Sequence, residues 1–544
     1  MQVFYQQSIF LLLPIFIFLV SMFMNYKTDD FKITESSVWC HKGFNDQKMC
    51  KFKNVCYDSN FKTFLFFLNN KSVINGIDHY NELQKIELSS ITHHNFFFAN
   101  VTMIELENYN IEKRIDVVKR GMLFSRFKPD NIMHCIHDDL FPLYMTLEKN
   151  CGGDEKCFKD FMIVLHDRHP KGPFFELYKL FSSHAILHLT DLNSDSNVVC
   201  FKELITGLSQ ENLFFQYGFD KPHGPINNSG IRQNDVVRFR NFLREHIYDE
   251  KYKTDVILFS RQKSRRILNE VDVLLKIQNF YKKLFNREGR ITVGDLASNP
   301  SIISSAFEAD LLVGMHGAEM ILGLFMKPNS IIIELFPFGI QPNFVSFLKP
   351  AMNLKGNQQI YISWRNDNRN NSVFHPDNHP LMGHINHLPK ALQNEIKNTE
   401  EIPPVKCCND PAYLYFMFQD TWVGNNFDET LEKLLKNYSP RNLKIDFVKD
   451  WIFPSILINL TCNFNVNNKK LFISWNPPFN AANKKIEYNI FVAGENMNFK
   501  KEIITSETQS SVEVTSNETK FKLWILSVFT SNSVKSADQV YDCG

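Results

Sequence analysis

Apolar residues fall along this chain in three regimes. Up to about Arg244 short apolar runs, among them TFLFFL (63–68), GMLF (121–124), FMIVL (161–165) and Val198–Phe201, alternate with helical stretches. From Thr254 the alternation becomes regular. DVILFSR and RITVGDL read as strands, Ile267–Phe285 as an amphipathic helix and Ser301–Ala309 as a shorter one. The stretch LLVGMHGAEMILGLFMKPNSIIIELFP (311–337) then reads as strand, tight His316-Gly317-Ala318 turn, short helix and a second strand. Near-continuous Ile and Leu in that last strand is the pattern of a parallel strand covered on both faces. Strands and helices in this order predict a doubly wound α/β lobe, preceded by another α/β lobe. From about Trp451 the pattern becomes alternating and all-β, with LFISWNPP, IEYNIFV and FKLWILSVF predicting a sandwich of the fibronectin type III kind. Phe521 stands at its tyrosine-corner position without the hydroxyl.

Ser8–Met24 is uncharged and apolar over about seventeen residues, the lower limit for spanning a bilayer. With no small-x-small cleavage site after it, the stretch predicts an uncleaved signal anchor. The expected organisation is a cytoplasmic tail (1–7), anchor (8–24), stem (25–38), N-terminal lobe (39–250), C-terminal lobe (251–445) and sandwich (451–544).

Composition narrows the function classes. Lys plus Arg number 60 against 59 Asp plus Glu with no basic run, which argues against a nucleic-acid partner. The eleven cysteines lack the tight C-x-x-C pairs of a zinc site, so disulfides are expected, with at least one thiol left over. Cys135 and Cys200 stand alone in the spacing, whereas Cys462 and Cys543 lie near opposite ends of the sandwich and are expected to staple it. Asn70, Asn100, Asn227, Asn370, Asn459 and Asn517 each begin an N-x-S/T acceptor, as does the weaker Asn437, whose serine precedes a proline.

Two constellations carry chemistry. In SRFKPDNIMHCIHDDLFPLY (125–144), Pro129 and Asp130 read as a helix start and Pro142 as its end. At roughly 100° per residue, Asn131, His134, His137 and Asp138 share an arc of about 120° opposite Ile132, Met133, Ile136 and Leu140. Such side chains transfer protons or bind sugars. His137 or Asp138 is the expected general base, His134 and Asn131 orient a substrate, Arg126 is a further substrate-binding residue, and Asp139 caps or braces the helix. Read as metal ligands, His134, His137 and Asp138 lack a fourth partner, so no metal is assigned. The second constellation lies at strand ends in the second lobe. Ser260, Arg261 and Arg265 (with Arg266) can clamp an anion, His316, Gly317 and Ala318 form a turn open to a diphosphate, and Glu334 ends the neighbouring strand.

Together the RF-x-PDN-x-MH-x-x-HDD run, SR-x-x-x-R-x-ILNE, MHGA with ELFP, YISWRN (361–366), CCNDP (407–411) and the VWC…C-x-F-x-N-x-CY start resemble glycosyltransferase family 61 over nearly the whole chain. That resemblance implies a GT-B fold and an inverting, metal-independent transfer with UDP held mainly by the C-terminal lobe. The branch with a C-terminal sandwich implies transfer of N-acetylglucosamine from UDP-GlcNAc to O-linked mannose on a dystroglycan-like protein. It also implies a single-pass type II protein of the endoplasmic reticulum membrane, with a homodimer admitted. The absence of any Asp-x-Asp agrees with metal independence. Glu319 stands where the resembled branch has Gln, and puts a carboxylate beside the expected diphosphate. The other readings are an extracellular O-GlcNAc or xylosyl transferase of the same family, or a catalytically silent glycan-binding protein.

Overall fold

The computed structural model describes residues 32–42, 48–77, 82–83, 86–91, 98–108, 114–192, 197–217, 224–226, 229–231, 234–352, 358–403, 409–437, 454, 457–478, 481, 484–495, 499–531, 534–536 and 539–543. It is a mixed α/β protein followed by an all-β unit. The first lobe is built on a nine-stranded mixed sheet. At its centre Arg114–Phe124 and Asn197–Thr206 run parallel, Met162–Leu165 and Leu187–His188 extend one side, and Lys48–Asp58 and Ser37–Lys42 continue the other side antiparallel. Successive residues point to opposite faces, so Met122, Ile163 and Ile205 join one core while Leu123, Val164 and Leu204 join another. Helix Phe141–Cys151 covers the first of these faces.

Disulfides pin that register. Cys40 and Cys50 are direct cross-strand partners and are bonded, as are Cys56 and Cys200. Cys200, expected to stand alone, thus closes a connection of 144 residues. Cys151–Cys157 joins two successive helices, and Cys135 is a buried free thiol. Cys407 and Cys408 lie outside the described residues.

The second lobe is a five-stranded parallel sheet in the order Ile291–Gly294, Val256–Phe259, Leu311–Met315, Ile331–Phe336, Ile360–Arg365. Every residue of its three central strands is buried, which explains their unbroken apolar sequences. The chain leaves Val256–Phe259 toward one edge and later returns to its other side. Strand order therefore reverses between Val256–Phe259 and Leu311–Met315, and their carboxyl ends carry Ser260–Arg265 and His316–Ala318. A ligand crevice forms at such a point. Helix Glu270–Phe285 and helix Asn426–Asn437 cover one face, and the opposite face shares its core with the first lobe.

The terminal unit packs a three-stranded antiparallel sheet (Ile458–Asn465, Lys470–Asn476, Gln509–Glu513) on a five-stranded one centred on Ile486–Gly494 and Phe521–Phe529. Trp475 and Tyr488 meet edge to face in its core, Phe521 is buried at the start of its strand, and Cys462–Cys543 is a disulfide. This unit is docked on the first strand of the chain. Lys522 Nζ reaches Glu35 at 3.1 Å, Lys53 pairs with Asp542 at 2.5 Å, and Trp39 and Val73 pack with Phe491, Ala493 and Trp524.

The expected type II anchor in the endoplasmic reticulum membrane is corrected here. Among the described residues no helix is long and apolar enough to cross a membrane, and Ser8–Met24, on which the expectation rested, lies outside them. Asn227 also lies outside. Asn70, Asn100, Asn370, Asn437, Asn459 and Asn517 are all exposed.

Candidate functional site

The helix that carries the first constellation starts one residue later and runs further than its sequence predicts. Asn131, not Asp130, is the N-cap, its side chain accepting from the Met133 N–H at 3.0 Å. After one α turn, Ile132–His134, the backbone widens to a π-helix over Cys135–Leu140 and returns to an α-helix through Cys151. Pro142 does not end it. Proline lacks an N–H and would leave the carbonyl four residues back without its donor. That carbonyl belongs to Asp138, and the Ser90 hydroxyl donates to it at 2.6 Å. The π turn and Ser90 together absorb the proline.

This altered winding changes the expected stripe. His137, Asp138 and Asp139 are all 0% exposed, while His134 keeps 14% of its side chain open. Asp138 is the hub. His134 Nδ1 lies 2.6 Å from its Oδ2, His137 Nδ1 2.5 Å from its Oδ1, and the Tyr217 hydroxyl donates to both oxygens at 2.8 and 3.0 Å. Burial alone would raise the Asp138 carboxyl, but its electrostatic attraction to the His137 ring and the hydrogen bonds from both imidazoles outweigh it and hold it at about 2. An ionised Asp138 is an acceptor only, so both Nδ1 atoms carry protons. For His137 this is independently fixed, because its Nε2 accepts from the Phe214 N–H at 3.3 Å. His137 is thereby committed at both nitrogens. His134 offers Nε2, with a partly open ring.

Asp139 turns the other way. It accepts from the Phe127 N–H at 3.2 Å and the Tyr178 hydroxyl at 2.6 Å, and burial, added to by the charge of Asp138, pushes its carboxyl well up. These bonds tie the helix to the Phe127 backbone and to Tyr178. Arg126, expected to bind substrate, is instead buried among protein partners. It is 2% exposed, makes paired bonds to Asp167 at 3.0 and 2.8 Å, and donates to the carbonyls of His169 and Lys171. It is a structural rivet.

In the second lobe Arg261 and Arg265 lie side by side over the His316-Gly317 turn. A Cβ on Gly317 would sit 2.2 Å from Arg261 Nη2 and 3.0 Å from Arg265 Nη1, so glycine is required for the two guanidinium groups to close on the backbone. Gly314 serves packing instead, where a Cβ would meet Phe259 and Met320 at 2.9 Å. Arg265 adopts a left-handed backbone (φ 55°) and donates to the His316 carbonyl at 3.0 Å. Burial, then repulsion from Arg261, lowers Arg265 to about 9, and burial lowers Arg261 despite the nearby Glu319. The Nε atoms of both are buried without a hydrogen-bond partner. Two desolvated cations with donors to spare are suited to holding an anion. Arg266 is excluded from it, because Asp420 takes both its backbone N–H and its guanidinium.

Glu319 turns partly away: Oε1 accepts from the Leu296 N–H at 2.7 Å, and Oε2 lies 3.4 Å from Arg261 Nη2. Glu334, expected to contact the donor, is fully buried and instead orients His316. Its Oε1 holds His316 Nδ1 at 2.7 Å, and its Oε2 accepts from Tyr361 at 2.6 Å and Ser346 at 2.8 Å. His316 also stacks on Phe336. Ser260 is buried at the strand end, and Ala318 opens an eight-residue 3-10 helix whose first N–H groups have no side-chain cap.

The fold brings the two constellations together. Helix Ile132–His134 packs on the 3-10 helix Ala318–Phe325. A ladder of rings runs from His134 to Tyr217 (5.0 Å), Phe215 (6.0 Å), Phe347 (6.5 Å) and His316 (5.7 Å). Tyr217, Phe214, Ser90, Ser346 and Tyr361 belong to the site although nothing in their local sequence marks them. Only the YISWRN motif touched one of them, Tyr361.

The family described as Glycosyltransferase 61 matches residues 132–333, which include both constellations apart from Arg126, Asn131 and Glu334. The protein O-linked-mannose beta-1,4-N-acetylglucosaminyltransferase 2 of Danio rerio is 30% identical over 524 residues, 93% of this chain and 88% of its own length. Those of Takifugu rubripes and Mus musculus are 29% and 28% identical with the same coverage. Among solved structures, a Fn3-like protein from Clostridium thermocellum is 15% identical, covers 17% of this chain and 92% of its own, and reaches a TM-score of 0.14, which carries no argument.

Proposed function

The chain belongs to glycosyltransferase family 61, and on that premise we propose that it transfers N-acetylglucosamine from UDP-GlcNAc to O-linked mannose on protein, forming a β1,4 linkage. It is a glycosyltransferase, acting on a glycoprotein acceptor with a sugar donor. The two lobes around one crevice read as a GT-B arrangement, with the acceptor at the first lobe and UDP at the second. The strand order of the terminal sandwich reads as fibronectin type III.

In this reading His134 Nε2 takes the proton of the mannose hydroxyl. The resulting oxygen attacks the anomeric carbon from the face opposite the diphosphate, the bond from that carbon to the phosphate oxygen breaks, and UDP leaves with the electron pair. Configuration inverts. Arg261, Arg265 and the Gly317-Ala318 backbone take up the charge on the departing diphosphate, so no divalent ion is required. Asp138, bonded to His134 Nδ1, holds the ring in the needed tautomer and offsets the charge it acquires. His137 and Tyr217 hold Asp138, and the Asn131 amide orients the acceptor.

The observation that carries the reading is the clamping of an ionised Asp138 against His134, the one imidazole of the helix with an open nitrogen, on a helix packed against the arginine-lined turn. The test is incubation with UDP-GlcNAc and an O-mannosyl peptide. A β-anomeric product determined by NMR supports it, and donor hydrolysis without transfer, or transfer from another UDP-sugar only, overturns it.

A further inference from the structure

A cavity of about 490 Å³ opens on the face of the nine-stranded sheet opposite the helix of His134. Its size falls within the roughly 300–1,000 Å³ of small-molecule sites. Its lining mixes apolar surface from Tyr57, Phe98 and Leu189 with polar groups from Ser59, Thr190, Asp167, Arg168 and His166, whose Nδ1 is buried without a hydrogen-bond partner. A sugar ring asks for such a mixed lining, having C–H groups on its faces and hydroxyls around its edge.

Asn100 forms part of the cavity wall, is exposed, and begins the acceptor sequence Asn100-Val101-Thr102. Its position is rigid. The Asn100 carbonyl accepts from the Phe64 N–H at 2.8 Å and the Thr63 hydroxyl at 3.0 Å, and Thr63 and Thr102 hydroxyls meet at 3.0 Å. Asn70, Asn370, Asn459 and Asn517 are exposed but contribute nothing to this cavity. Phe61, 75% exposed, sits in the turn between two lining residues, Ser59 and Lys62, where a covering group would shelter it.

We propose that this cavity seats the first sugars of an N-linked glycan carried on Asn100. The glycan's innermost ring lies on Tyr57 and Phe98, with its hydroxyls toward Thr190 and His166. The occupant is then part of the mature protein, tethered at the rim, and binds at an effective concentration no free sugar reaches. It also braces the His166–Arg168 segment, whose Asp167 holds Arg126 behind the catalytic helix.

The full chain is produced in a glycosylating eukaryotic host, and glycan release by peptide N-glycosidase is followed site by site by mass spectrometry. Asn100 is expected to be occupied, and its glycan to be released from the native protein about tenfold or more slowly than that on Asn370, the difference vanishing on denaturation. Leu192→Trp, which fills the cavity, is expected to leave occupancy unchanged and to bring the Asn100 rate up to that of Asn370. An unoccupied Asn100, or native release as fast as at Asn370, overturns the proposal, and both readings come from the unaltered chain.

Discussion

His134 and Asp138 meet one helical turn apart, Nδ1 to Oδ2 at 2.6 Å, where the helix passes from α to π winding. If His134 is the base, His134→Ala lowers kcat by roughly 10²- to 10⁴-fold with UDP affinity unchanged. His137→Ala acts differently, leaving the Phe214 N–H unpaired in a sealed site, and its larger effect is on the melting temperature. Steady-state kinetics with calorimetry on both variants checks this. A folded His134→Ala enzyme turning over near the wild-type rate returns the base to His137.

Removing one guanidinium from the anion site leaves the other to hold the diphosphate alone. Arg265→Ala weakens UDP binding by about 10- to 100-fold, as expected for a charge-assisted hydrogen bond of roughly 1.5–3 kcal/mol. Gly317→Ala has a similar effect without removing any charge, because its methyl displaces Arg261. Calorimetric titration with UDP reads both. Transfer also continues in EDTA, and restoration by Mn²⁺ alone after loss in EDTA would count against the arginine pair.

Glu319 places one negative charge against two buried cations, so the three groups together carry a net single positive charge. Glu319→Gln keeps an acceptor for the Leu296 N–H and removes the charge. UDP affinity rises by about tenfold and falls more steeply with salt. Equal or weaker binding by the variant contradicts this electrostatic account.

Asp138 and Asp139 are adjacent and titrate in opposite senses. The Asp138 carboxyl is depressed to about 2, so its contribution to stability is present above the unfolded value of about 3.9 and is lost as pH falls through 2. The Asp139 carboxyl is raised, so the folded state keeps a proton the unfolded chain releases, and stability declines as pH rises above about 3.9. Asp139→Asn therefore raises the melting temperature at pH 7.5 and loses that gain near pH 4, while Asp138→Asn lowers it at pH 7.5. Melting curves at both pH values decide.

The Cys462–Cys543 bond closes an 81-residue separation within the sandwich. Replacing both with Ala lowers the stability of that unit by about 4 kcal/mol on the chain-entropy estimate. Guanidinium titration followed by Trp fluorescence measures it, with the buried Trp475 as reporter.

The second lobe could be read almost strand for strand, because a buried parallel strand writes itself as an apolar run and its helix as a 3.6-residue repeat. The site could be read as motifs but not as roles. Arg126 and Arg266 look like ligand-binding arginines until Asp167 and Asp420 appear beside them, the latter 154 residues away. Glu334 looks like a strand-end ligand until Ser346 and Tyr361 close over it. Helical phase failed at Pro142 for a related reason: the hydroxyl that satisfies the Asp138 carbonyl there comes from Ser90, 48 residues upstream of Asp138. Periodicity encodes what a residue's own element does, whereas the partner that decides its chemistry is set by the tertiary fold.

The docking of the sandwich on the first strand bears on how the protein is made. Lys522 and its partners Glu35 and Ser37 are separated by 487 and 485 residues. At about 5–20 residues per second of synthesis, Trp39 and Val73 wait roughly 25–100 s after they emerge before Trp524 can cover them. The finished first lobe therefore spends that interval with an open apolar patch at the edge of its sheet, the kind of surface that chaperones hold and that aggregation exploits. A nonsense mutation late in the message, even one that spares every catalytic side chain, would leave the patch uncovered for the life of the molecule.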